Sequence, residues 1–137
     1  MANAIGEGAK EAGKEAVVVT PDKASLDDLK AAKAFALGCP AMGAEVLEES
    51  EFQPMFDEVS VALGGKKIAL FGSYGWGDGQ WMRDWCERAK EDGAQLFSDE
   101  GLICNETPDD DVQAACRNNT PEDEGLMQCE ALGAALA

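Results

Sequence analysis

Short β-branched or aromatic runs alternate along this chain with segments whose apolar residues recur every three or four positions, and that alternation restricts the fold more than any other feature. Ala2, Ile5, Ala9 and Ala12 fall at helical spacing, and Gly13 follows as a stop. The run Ala16 to Val19 reads as a buried strand closed by Thr20 and Pro21, and Ser25 opens a second helix with capping-box character that runs to about Lys33. Phe35 to Leu37 is a short strand ending at the turn Gly38-Cys39-Pro40. Pro54 suits the first turn of a helix that aligns Met55, Phe56, Val59 and Leu63 before Gly64 and Gly65 end it. Ile68 to Phe71 is the next strand, and Asp78 is placed to cap a helix that turns Met82, Trp85, Cys86 and Ala89 inward and stops at Gly93. Ala94 to Ser98 and Leu102 to Cys104 read as two pieces of one strand interrupted at Gly101, and a last helix is expected over about 123–136. Helix and strand taking turns in this way predict an α/β domain: a mainly parallel sheet, helices on both faces, and any ligand at the carboxyl ends of the strands.

Two unusual loops fall at such ends: CPAMGAE over 39–45 and GSYGWGDG over 72–79. Glycine permits positive φ and close approach of backbone to a ligand, while Tyr74 and Trp76 offer flat faces. Aromatic residues on the most pliable backbone of the chain predict a planar ligand. Taken singly, Met42 and Trp81 read as packing residues, Trp85 as core, Glu45 as a surface acid and Cys39 as a small buried thiol. Tyr74 and Trp76, flanked by glycines at a strand end, do not fit a core role.

The remaining composition excludes function classes. No histidine occurs, which removes histidine-dependent acid–base and triad chemistry, and the five cysteines are widely spaced, so disulfide frameworks and zinc or iron–sulfur sites are not expected. The formal net charge is −16, from 27 acids against 11 bases. Such a field disfavours nucleic acid and anionic membranes and speeds encounter with cationic partners. The start of the chain lacks the basic-then-apolar order of a secretory signal, so a cytoplasmic location is expected. Residues 105–124 form an acidic insertion in which Thr107 to Asp111 is echoed by Thr120 to Glu124; a surface loop with a short helical turn at Val112 to Cys116 is expected there.

The stretches GCPAMGAEVLEESEFQPMF (38–56) and GKKIALFGSYGWGDGQWMRDWCERA (65–89) closely resemble short-chain flavodoxins of the clostridial and Megasphaera type. That resemblance implies a flavodoxin-like three-layer sandwich, non-covalently bound flavin mononucleotide (FMN), and low-potential one-electron transfer between redox enzymes rather than enzymatic turnover. It implies a site made of Pro40, Ala41, Met42, Gly43, Ala44 and Glu45 with Ser73, Tyr74, Gly75, Trp76 and Gly77. In this reading Met42 and Trp76 cover the two faces of the isoalloxazine ring, with Tyr74 in the same loop. The Gly43–Ala44 peptide corresponds to the one that turns over when the flavin takes up its first electron. Glu45 matches the carboxylate that accepts from ring N3, the N–H groups of residues 75–77 face ring O2, and the Ser73 hydroxyl reaches the phosphate. Ala44 departs from the polar or acidic residue common at its position. Partners implied are redox enzymes with basic docking surfaces, met by a monomer unless strand loss drives association.

A larger departure lies at the start. Flavodoxins begin with a strand and a hydroxyl-rich, glycine-containing loop that wraps the FMN phosphate, whereas Met1 here falls inside the helix that follows them. A single flavodoxin-like domain over 1–137 is therefore expected, truncated at its N-terminus, with the interior strand between the Val17 and Phe35 strands missing and the reading frame starting at an internal methionine. The alternative is a truncated flavodoxin-like module that binds little or no FMN and acts through protein contacts or by accepting a strand. A quinone or nitro-group reductase on the same fold ranks below both, because no added substrate pocket or nicotinamide motif is visible.

Overall fold

A computed structural model of the chain describes residues 1–32, 34–118 and, as a backbone trace, 126–130. Helix α1 spans Ala2–Glu11 and ends before Gly13, whose φ of 78° lets the chain reverse into strand β1, Ala16–Val19. A single 3-10 turn at Pro21–Lys23 leads to α2, Leu26–Ala31, where the Ser25 hydroxyl accepts the Asp28 N–H at 3.0 Å as an N-cap. Strand β2 is Ala34–Gly38, α3 is Phe52–Ser60 and β3 is Lys67–Tyr74. Helix α4, Gln80–Glu91, is followed by β4, Gln95–Leu96, and β5, Leu102–Asn105. Both of these short strands pair with β3, one at each end, which is the interrupted strand the sequence suggests. Helix α5 covers Asp110–Asn118, longer than the expected turn, and β6 is Leu126–Glu130.

Among the described residues the pairings between these strands are all parallel, and the sheet runs β1-β6-β2-β3, with β4 and β5 continuing beyond β3. Two expectations are corrected here. The slot between β1 and β2 is filled, because β6 lies in it and pairs Ala16 to Val19 on one side and Ala34 to Gly38 on the other. The segment 126–130, expected inside a last helix, is therefore a strand; the rest of 123–136 lies outside the described residues. An empty slot would leave two rows of backbone donors and acceptors without partners, a cost that outweighs the modest helix preference of Leu and Met.

Alternation along β2 and β3 divides the core. Phe35, Leu37, Ile68 and Leu70 pack on one face with α3 and α4 residues Phe52, Phe56, Trp81 and Trp85. Ala34, Ala36, Ala69 and Phe71 pack on the other with Ala2, Ala4, Ile5 and Ala9 of α1 and Cys116 of α5. Small residues on that face let helices approach closely, and Gly8 marks the limit: a Cβ there would sit 2.1 Å from the Arg117 carbonyl oxygen of α5. Helices on both faces of a parallel sheet give the three-layer sandwich. Strand β1 is not buried as expected: Val17 and Val18 are exposed, because β1 is the edge of the sheet.

Candidate functional site

The loops after β2 and β3 leave the sheet side by side. Their strands are in register with Gly38 beside Phe71, and beyond them the Cys39 N–H donates to the Phe71 carbonyl at 3.1 Å and the Ala41 N–H to the Ser73 carbonyl at 2.9 Å. This approach requires glycine at 72, since a Cβ there would meet the Cys39 carbonyl oxygen at 2.2 Å. From the interior, the indole N–H of Trp81 donates to the same Cys39 carbonyl at 3.1 Å. The two sequence motifs thus form one edge.

Within the first loop, Met42 and Val46 exchange backbone hydrogen bonds at 2.9 Å in each direction and close a turn over Gly43, Ala44 and Glu45. Gly43 has φ 49°, and a Cβ on it would meet nothing closer than 4.0 Å, so the turn is held by backbone preference rather than by packing. Glu45 has φ 55°, a conformation rarely adopted by a residue with a side chain. Its carboxylate Oε1 accepts from the N–H groups of Asp78, Gly79 and Gln80 at 3.3, 3.0 and 2.9 Å. Glu45 therefore caps α4 from another loop. Asp78, expected to be the cap, instead pairs with Arg83 at 2.8 Å, while Gly79 occupies the N-cap position with φ 90°.

The base of the first loop is fastened by Cys39 and Glu48. The Glu48 N–H donates to Cys39 Sγ at 3.2 Å, and burial pushes the Cys39 thiol up to about 12, as suits a packing and tethering group. Desolvation alone would raise the Glu48 carboxyl. Hydrogen bonds from the Ser50 hydroxyl and the N–H groups of Phe52, Glu51 and Ser50 outweigh it and hold the group at about 2. The Glu45 cap was not legible in the sequence as a spacing, because that acid reaches a helix more than thirty positions away, whereas Glu48 lies close to its partners but in the loop ahead of α3 rather than at the N-cap, Glu51.

Of the expected contact residues, Met42 is 39% and Trp76 64% exposed, on two adjacent loops. Gly75 has open space around its Cα. Tyr74 departs from a free stacking role: its ring lies 5.5 Å from that of Trp81, tilted by 48°, and it packs against the core as the floor of the loop. The Tyr74 carbonyl accepts from the Glu106 N–H at 2.7 Å and from the Asn105 side-chain amide at 3.2 Å, two supports that the sequence did not reveal. Ser73 is 4% exposed and sits within β3 rather than on the loop. The start of α1 is near this end of the sheet, with Met1 Sδ 3.7 Å from the Cys104 thiol of β5. Among the described residues there is no cluster able to hold a metal ion, and no helix long and apolar enough to cross a membrane.

Two exposed side chains, a thioether and an indole, are thus gathered with glycine backbone and a hydrogen-bonded carboxylate on adjacent loops. The family model for flavodoxin matches residues 1–118. A curated flavodoxin of Clostridium beijerinckii is 46% identical over 113 residues, covering 82% of this chain and 81% of its own length. The Megasphaera elsdenii flavodoxin is 40% identical over 137 residues, covering 100% of this chain and 88% of the relative. The solution structure of two-electron reduced Megasphaera elsdenii flavodoxin superposes with a TM-score of 0.75 at 39% identity, covering 85% of this chain and 88% of that one. With a parallel sheet, an aromatic double loop at its carboxyl edge and these relatives, the chain belongs to the flavodoxin family.

Proposed function

We propose that the 40–45 loop and the 73–77 segment at the end of β3 hold the isoalloxazine ring of FMN between Met42 and Trp76, and that the protein passes single electrons at low potential between redox enzymes. As a flavodoxin it is an FMN-binding electron carrier rather than an enzyme. The observation that carries the site assignment is the paired exposure of Met42 and Trp76 on loops that the Ala41–Ser73 hydrogen bond holds together. Bound FMN supplies two successive one-electron redox steps; the chain supplies the slot, the dielectric and the hydrogen bonds that separate those steps.

Each residue has a physical task. Met42 and Trp76 exclude water from the ring faces. The Gly43–Ala44 peptide turns through ψ of Gly43 and φ of Ala44; with no side chain on Gly43 and open space where its Cβ would be, that rotation meets less hindrance there, so the carbonyl can be presented to a ring N–H or withdrawn. Glu45, with Oε1 engaged, keeps Oε2 for a donor at the ring edge. Acids around the rim disfavour further negative charge on the ring, which lowers the potential of the second electron. The excess of acids over bases suits partners with basic docking surfaces. The reading is tested by anaerobic titration of the FMN-loaded protein with a graded reductant: two resolved one-electron steps are expected, and a single two-electron step would refute it.

A further inference from the structure

We infer that the cleft between α4 and the stretch 45–47 seats an arginine side chain of a basic redox partner. The inference rests on the reading above of a carrier that meets basic partners, and adds the place where such a partner is held. The cleft has a volume of about 190 Å³, and Leu47, Trp81 and Trp85, all nearly buried, form its apolar floor. Val46, 41% exposed, adds to that lining. A cavity of about 150 Å³ takes a benzene ring, so there is room here for one long side chain.

The polar groups at the cleft select a cation. Arg88, which also lines it, is already engaged: it pairs with Asp57 of α3 at 2.5 Å, lies 3.9 Å from Asp92 and covers the Phe56 ring at 4.8 Å. Arg83, the next cation along α4, is paired with Asp78 at 2.8 Å. Glu45 gives one oxygen to the α4 N–H groups and is assigned above to the ring edge with the other. Asp84 differs from these. It is exposed on α4, its Oδ1 accepts from the Gln80 amide at 2.7 Å, and its Oδ2 carries no hydrogen bond among the described residues. A carboxylate oxygen beside an apolar floor suits a side chain with an apolar stem and a charged head. Guanidinium fits better than ammonium, because it is planar and weakly hydrated and so loses less on entering a partly apolar cleft. The net charge of −16 draws a basic partner in, and the cleft gives it a register. Val46 exchanges backbone hydrogen bonds with Met42, so an occupant rests against the loop that bears one of the two ring contacts, and the partner is held beside the cofactor.

The test uses the full chain with FMN and the probe n-propylguanidinium, which is the arginine side chain alone. Propylurea serves as its uncharged analogue and n-butylammonium as the lysine counterpart. NMR titration follows the indole N–H groups of Trp81 and Trp85 and the amides of Val46 and Leu47. Saturable shifts confined to the cleft are expected, with a dissociation constant on the order of millimolar. Butylammonium is expected to bind about threefold or more weakly, and propylurea not to saturate. Asp84→Lys is expected to weaken the probe about tenfold or more, whereas Glu11→Lys, the same change of charge on the helix across the sheet, leaves it within about twofold. Shifts that never saturate, an equal response to propylurea, or equal losses in the two variants overturn the cleft as a cation site. Equal binding of butylammonium overturns its assignment to arginine. If the wild-type protein does not bind FMN, the cofactor reading fails instead, and the same titration of the flavin-free chain still decides the cleft.

Discussion

Single residues carry the cofactor assignment. Removing the indole in Trp76→Ala is expected to weaken FMN binding by about 1–3 kcal/mol, from lost apolar burial and stacking; fluorescence titration reads this directly, and an unchanged dissociation constant would show that Trp76 is not a ring contact. Gly43→Ala is expected to shift the first reduction step more than the second, because alanine at φ 49° costs about 1–2 kcal/mol and resists rotation of the following peptide. Stepwise potentiometry separates the two, and equal shifts would contradict a role for that peptide. Glycine and aromatic residues interleaved over 72–79 marked a segment in which the structure leaves Trp76 exposed. The position of Tyr74 was not legible, because whether a loop aromatic points outward or onto Trp81 is decided by a residue on the following helix.

At the scale of elements, the helices were legible and their caps only partly so. Apolar periodicity and glycine stops located α1, α3 and α4, and the Ser25 hydroxyl capped α2 as its sequence suggests. The acids that cap α3 and α4 lie in preceding or distant loops, so only the folded chain identifies them. Glu48 then has a pH consequence. Its folded-state carboxyl titrates near 2 against a reference value of 4.5, so the cap is fully present above about 4.5 and is lost as pH falls toward 2. Acid unfolding followed by circular dichroism is expected to steepen across that window, and Glu48→Gln, which cannot titrate, to flatten it. A variant with an identical acid profile would contradict the assignment. At neutral pH, Glu48→Ala is expected to lower stability by about 0.5–2 kcal/mol, the ordinary loss for a helix cap.

The whole molecule depends on one uninterrupted parallel sheet. Alternating patterns announced the α/β class and the two helical layers, but the position of 126–130 was not readable from them, because Leu-Met-Gln-Cys-Glu has no strand-like composition. Topology decided it: the slot between β1 and β2 needs a partner on both sides, and 126–130 supplies it. Met127→Pro, within that strand, removes a ladder donor and is expected to destabilise the protein by about 3 kcal/mol or more in chemical unfolding, whereas a surface position would tolerate it. The claim on which the functional account turns is nevertheless the slot at the carboxyl edge of the sheet, and its most direct test is a fluorescence titration of FMN with the flavin-free protein. The account predicts quenching that saturates at one FMN per chain, with tighter binding in the wild type than in Trp76→Ala; flavin emission that stays unquenched at protein concentrations far above micromolar would contradict it.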